Sequence, residues 1–146
     1  MGDRAMTTIS VGLGARAYPI QFVEGLVTDG STEGFAALDA IVGDSVFVVT
    51  NETVSELYSE KIQALFGHRR YSTYVMPDGE FHKTMDQVQA IVGRLLEDGC
   101  TRDTTIVAVG GGVVGDVAGF AAAIYQRGIA VVQVPTTLLA QVDSSV

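Results

Sequence analysis

Thr105-Ile106-Val107-Ala108-Val109-Gly110-Gly111-Gly112-Val113-Val114-Gly115-Asp116 decides the fold. An apolar run of strand length breaks at three consecutive glycines and resumes as Val117-Ala118-Gly119-Phe120-Ala121-Ala122-Ala123, a small-residue run. The stretch reads as strand, glycine turn, helix. Glycines let backbone N–H groups come close to a phosphate, and the unsatisfied N–H groups at the start of a helix carry partial positive charge toward it. Gly110, Gly112 and Gly115 satisfy G-x-G-x-x-G in the strand-to-helix context that the pattern requires, so a nucleotide is the expected ligand. The competing reading is a tight turn with close helix-to-sheet packing, which also favours glycine. An ordinary dinucleotide fold would place an Asp or Glu about 20 residues further on to bind the ribose. None stands there.

Outward from the turn, the chain alternates strands and helices. Residues 45–50 form a compact apolar strand, and Asn51 is placed to cap a helix whose Val54, Leu57, Tyr58, Ile62 and Leu65 share one face. Residues 71–76 predict another strand, followed by the turn Pro77-Asp78-Gly79 and a helix with Val88, Ile91, Val92, Leu95 and Leu96 at helical spacing. Thr84 to Gln87 has the form of a capping box. The helix after the glycine turn, about 113–126, is apolar around nearly its whole circumference and is expected to be buried. A further strand at 130–134 ends at Pro135-Thr136-Thr137, and 138–142 resumes an apolar pattern. Ahead of all this, 7–11 and 18–23 predict a strand pair and 32–42 a helix. The fold expected is α/β: a Rossmann-like, mainly parallel sheet with helices on both faces, preceded by a short strand pair.

The 146 residues, 47% hydrophobic and 18% charged, predict one compact domain over 1–146. Residues 1–6 show no periodicity and are expected to be disordered or a remnant of the expression vector. No apolar run reaches the roughly 18 to 20 residues needed to cross a bilayer, and the first ten residues lack a secretory core, so a cytoplasmic protein with no membrane partner is expected. Cys100 is the one cysteine, which excludes an intrachain disulfide and reads as structural. A net charge of -8 argues against nucleic acid as a partner. His68 and His82 have no partners at metal-ligand spacing, so no metal site is expected within this chain. No Gly-x-Ser-x-Gly or Walker pattern is present.

From Thr104 onward only Asp116, Arg127 and Asp143 carry charged side chains, which suggests a buried region and asks a reason for each. Asp116 either accepts a hydrogen bond from a ribose or nicotinamide group or sits favourably at a helix N-terminus. Thr136 and Thr137 stand where a strand ends and ligands gather; otherwise they cap a helix. Glu80 and Lys83 are spaced as an ordinary surface ion pair. Arg127, followed by Gly128, either clamps a phosphate or carboxylate or serves as a helix C-terminal cation.

The glycine turn, Tyr125-Gln126-Arg127-Gly128, the segment Gln133-Val134-Pro135-Thr136-Thr137-Leu138-Leu139-Ala140-Gln141-Val142-Asp143-Ser144-Ser145-Val146 and the earlier Pro77-Asp78-Gly79-Glu80 together resemble 3-dehydroquinate synthase. The resemblance extends more loosely back to Val49-Thr50-Asn51-Glu52-Thr53-Val54. It implies an enzyme of the shikimate pathway that converts a 3-deoxy-heptulosonate 7-phosphate into 3-dehydroquinate with NAD and a divalent metal, zinc or cobalt. In that family a hydroxyl is oxidised transiently, phosphate leaves, the ketone is reduced and an aldol step closes the ring. The resemblance also implies roles for residues. Asp78, Glu80 and Lys83 would be NAD contacts, Gly111, Gly112, Val113, Val114, Gly115 and Asp116 the pyrophosphate turn, and Thr136 and Thr137 further NAD contacts. Asp143 would lie near the nicotinamide end, Arg127 would reach the substrate phosphate of a neighbouring subunit in a homodimer, and Asn51 stands where some members bind the adenosine ribose with an acid. Family members continue into Gly-Gly-Lys and a helical domain with one Glu and two His as metal ligands. By that comparison the chain is the N-terminal cofactor portion and is expected to lack cyclase activity alone. A related sugar-phosphate cyclase, a metal-dependent polyol dehydrogenase and a non-catalytic nucleotide-binding or assembly module are the alternatives.

Overall fold

A computed structural model describes residues 6–146. The expectation for residues 1–6 falls, Met6 apart, outside the described residues. The chain divides into two compact units, 1–41 and 42–146.

In the first unit, β1 (Thr7–Val11) pairs antiparallel with β2 (Tyr18–Phe22), Thr7 opposite Phe22 and Val11 opposite Tyr18. The helix α1 (Thr32–Asp39) starts where the Ser31 hydroxyl accepts from the Gly34 N–H at 3.2 Å. It stops short of the 42 read from sequence, because Ile41 N–H turns to the Leu38 carbonyl and tightens the last turn.

The second unit is a four-stranded parallel sheet with strand order β4-β3-β5-β6. Its elements are β3 (Ser45–Asn51), α2 (Glu52–Phe66), β4 (Arg70–Met76), α3 (Met85–Glu97), β5 (Thr104–Gly110), α4 (Gly112–Ile124) and β6 (Ala130–Pro135). All seven residues of β5 are buried, as a strand covered on both faces requires. Phe47, Val49, Ile106 and Ala108 point to one face and form the main core with Val88, Ile91 and Leu95 of α3 and Val114, Val117, Ala118 and Ala121 of α4. Strand alternation turns Val46, Val48, Val107 and Val109 to the other face, the side of α2 with its buried Val54, Ile62, Leu65 and Phe66.

Four sequence expectations change in detail. Leu57 and Leu96 are each 61% exposed, because each helix buries only one stripe and these residues flank it. The α4 helix is not buried all round either, since Phe120 and Ile124 are 49% and 48% exposed on the side away from the sheet and α3. Leu138, Leu139 and Val142 are exposed too, so the charge-poor C-terminal stretch is partly a bare apolar surface. The capping box is half formed: Thr84 Oγ1 accepts from the Gln87 N–H at 3.4 Å, but Gln87 Oε1 accepts from the Tyr74 hydroxyl instead of returning to Thr84.

Candidate functional site

The strand order creates a crevice. From β3 the chain crosses to β4 on one side, then returns past β3 to β5 and β6, so connections leave β3 and β5 in opposite directions. Ligands of open α/β sheets bind outside the carboxyl ends of the strands at such a switch point. Here that edge carries Asn51 at the end of β3, Pro77 and Asp78 after β4, Gly110 at the end of β5 with Gly111 after it, and Thr136 after β6.

The glycines serve space, not a left-handed backbone; Gly111 has φ -77°. A Cβ at Gly110 would lie 2.6 Å from Val114 Cγ2 and 2.7 Å from Val114 Cβ. At Gly115 it would lie 2.4 Å from Gln133 Oε1, and the same Gln133 amide donates to the Gly115 carbonyl at 3.2 Å. Both are packing positions, as the competing sequence reading required. Gly111 and Gly112 differ: a Cβ at Gly111 would meet Thr137, its methyl Cγ2 at 3.4 Å and Oγ1 at 3.7 Å, and one at Gly112 would meet Ser144 Oγ at 3.0 Å. The α4 N-terminus thus faces two hydroxyl-bearing side chains, Thr137 and Ser144.

This N-terminus also lacks a side-chain cap. Ser31, Asn51 and Thr84 cap α1, α2 and α3 by accepting from the backbone N–H groups of Gly34, Val54 and Gln87. The first N–H groups of any α-helix have no acceptor within it, so those of Gly112, Val113 and Val114 are available to an external anion. A diphosphate fits this donor set.

Charge at the crevice comes from the loop after β4. Lys83 Nζ lies 2.6 Å from Asp116 Oδ2 and 3.7 Å from Glu80 Oε1, so the closer partner is the residue of the glycine turn and not the one three positions away. The Asp116 carboxylate holds the Lys83 ammonium above its ordinary pKa by hydrogen bond and charge, with Glu80 adding to it. Asp78 accepts from the Thr53 N–H at 3.2 Å and from the Thr53 hydroxyl, which hold its carboxyl below the usual range. Asn51 accepts from the Val54 N–H at 3.3 Å. Asp78 and Asn51 therefore both close the N-terminus of α2.

Thr137 caps the C-terminal turn Ala140–Ser144 by accepting from the Ala140 N–H at 3.2 Å, which leaves its O–H free to donate. Thr136 is exposed and its N–H donates to the Gly110 carbonyl at 2.9 Å. Asp143 is exposed within the same C-terminal turn.

Arg127 is not brought to this edge. It lies beyond the far end of α4, near the start of β6, about 20 Å from the glycine turn at 1.5 Å per residue of helix. Gln126 and Arg127 have φ of 47° and 70°, a left-handed pair that costs about 1–2 kcal/mol per residue. The Tyr125 hydroxyl, donating to the Cys100 carbonyl at 2.7 Å, and the Gln126 amide on the same oxygen at 3.4 Å hold this corner.

Among the described residues no group of three His, Cys, Asp or Glu could hold a metal ion, so the residues present do not fit the divalent metal that the resemblance implies. Among the described residues no helix is long and apolar enough to cross a membrane. Sequence reading missed Gln133, Ser144 and Thr53. A lone amide in the apolar run 130–134 was a signal for Gln133; Ser144 offered none.

The family described as 3-dehydroquinate synthase N-terminal matches residues 73–146, from β4 through the glycine turn to the C-terminal turn. The chain belongs to this family. The match takes in Asp78, Lys83, the uncapped start of α4 and Thr137. Among solved structures, the chain is similar to a 2-deoxy-scyllo-inosose synthase complexed with carbaglucose-6-phosphate, NAD+ and Co2+, with a TM-score of 0.77 and 30% identity over 94% of this chain and 38% of that one. It is similar also to a 2-epi-5-epi-valiolone synthase from Streptomyces hygroscopicus subsp. jinggangensis 5008 with NAD+ and Zn2+ bound, with a TM-score of 0.63 and 30% identity over 75% of this chain and 31% of that one. Both relatives are sugar-phosphate cyclases of the family's wider group. A probable glycerol dehydrogenase from Sinorhizobium meliloti 1021, at 22% identity over 69% of this chain and 25% of that one with a TM-score of 0.51, shares the fold. The chain spans less than two fifths of the length of these relatives.

Proposed function

We propose that the chain is the NAD-binding portion of a 3-dehydroquinate synthase, which converts a 3-deoxy-heptulosonate 7-phosphate to 3-dehydroquinate and phosphate. The observation that carries the cofactor reading is the uncapped α4 N-terminus, set at the switch point of a sheet whose family relatives were solved with NAD+. When bound there, NAD would supply a reversible oxidation of a substrate hydroxyl.

The chain's own residues would bind and orient. The N–H groups of Gly112, Val113 and Val114 would receive the diphosphate, with the hydroxyls of Thr136 and Thr137 donating beside them. Asp116 would accept from a ribose or nicotinamide group. Asp78, Glu80 and Asn51 would line the adenosine side, and Asp143 the nicotinamide side. Arg127, at the opposite edge, would serve the substrate phosphate of a partner in a homodimer. The divalent metal would be held outside the described residues, and the isolated portion would be inactive in a cytoplasmic pathway that needs the whole protein.

Calorimetric titration of NAD into the intact protein tests the cofactor reading. Saturable binding that Gly112→Asp abolishes supports it, because the new carboxylate would sit among the N–H donors; no binding by the wild type removes it. A second reading, another sugar-phosphate cyclase, is favoured by the 30% identity to the inosose and valiolone synthases. Product analysis with a panel of sugar phosphates separates the two: 3-dehydroquinate and phosphate from the heptulosonate phosphate support the first.

A further inference from the structure

The corner between α4 and β6 is more strained than a helix stop requires. Helices commonly end on one left-handed residue, and glycine takes that place at no steric cost. Here Gln126 (φ 47°) and Arg127 (φ 70°) are both left-handed and neither is glycine, while the glycine stands one residue later, at Gly128 (φ 105°). Such backbone persists only where its surroundings hold it, and it gathers at ligand clamps and active sites.

The holding contacts lie on either side of the pair. Before it, Tyr125 is 3% exposed, and its hydroxyl donates to the Cys100 carbonyl at 2.7 Å, joined on the same oxygen by the Gln126 amide at 3.4 Å. That acceptor is itself fixed, because the Cys100 N–H donates at 2.9 Å to the carbonyl of Leu95 in the last turn of α3. After it, the Gly128 N–H donates to the Tyr125 carbonyl at 2.8 Å and the Ile129 N–H to the Ala122 carbonyl at 2.9 Å, which returns the chain onto α4 before β6 begins. None of these contacts uses the Arg127 side chain, which is exposed. Among the described residues no ion pair holds it, so the backbone alone aims it.

We infer that Tyr125 is a positioning residue for Arg127: its hydroxyl, anchored on the Cys100 carbonyl, holds the left-handed pair and so presents the Arg127 guanidinium outward in one fixed direction. An arginine on a loose corner would lose backbone freedom as it closed on a phosphate, whereas a corner locked in advance loses less and the guanidinium fork binds more tightly through the same contacts. The inference goes one step past the role proposed for Arg127 toward a sugar phosphate, and it rests on that role.

Calorimetric titration of 3-deoxy-heptulosonate 7-phosphate into the intact protein tests it, with thermal melting followed alongside. Tyr125→Phe removes one hydroxyl and should weaken sugar-phosphate binding about tenfold. NAD affinity should stay within about twofold of wild type, since the glycine turn lies about 20 Å away at the other end of α4. Gln126→Gly relieves the strain and should melt no lower than wild type, yet bind the sugar phosphate several-fold more weakly, a split that a merely structural corner would not give. Arg127→Ala should bind the sugar phosphate weakly, and adding Tyr125→Phe to it should cost little more. If Tyr125→Phe costs as much in the Arg127→Ala background as in wild type, or if NAD affinity falls in step, Tyr125 acts on the fold at large and the inference is overturned. An Arg127→Ala protein with wild-type affinity would instead defeat the role proposed for Arg127, so the two failures are distinguishable.

Discussion

The Thr50 hydroxyl donates to the Val109 carbonyl at 2.8 Å, one residue beyond the last paired positions of β3 and β5, Val49 and Ala108. The two strands part here, and a buried side chain bridges the gap under the crevice. Thr50→Val keeps the shape but takes the donor away, which should destabilise the protein by about 1–3 kcal/mol. Thr50→Ser keeps the donor and should cost less. Urea unfolding of the two variants side by side checks the order.

The glycines of the turn should differ in their tolerance of a methyl group. At Gly110 the new Cβ meets the branched Cβ of Val114 itself, which cannot swing away, and a loss of about 1–3 kcal/mol is expected for Gly110→Ala. At Gly115 it meets the end of the flexible Gln133 side chain, so Gly115→Ala should cost less. Equal losses in denaturant melts would contradict the packing described for this turn.

Asp78 should make the protein acid-sensitive. Its folded-state pKa lies below the ordinary 3.8 because Thr53 donates to it. The stabilisation is therefore fully present above that value and is lost as pH falls through the lower folded value. Asp78→Ala should lower the thermal midpoint at neutral pH, with the difference from wild type closing as pH drops below about 4. A difference that stays constant through the acid range would rule the linkage out.

Cys100 should be inert in the folded protein. It is 7% exposed, and burial pushes its thiol pKa up, so the thiolate is scarce at neutral pH. Ellman's reagent should react slowly with the native chain and about stoichiometrically after denaturation in guanidinium; rapid native labelling would overturn this.

Much of the fold was legible because the period of apolar residues encodes it locally. The strand 7–11 and the helix starts at Asn51 and Thr84 agree between sequence and structure, since a cap and a hydrophobic run are both short-range signals. The glycine turn was legible for the same reason. Where a one-sided helix such as α4 keeps its bare face was not, because an all-apolar circumference does not say which side will be covered.

By itself the sequence determined the order of strands and helices, the turn that opens α4, and the family signature from β4 onward. Only the tertiary structure decided that β3 sits between β4 and β5, and so that Lys83 meets Asp116 while Arg127 stands at the other edge. Spacing along a chain carries local geometry, but which distant side chains share a crevice depends on strand order, and strand order is set by packing that no single segment contains.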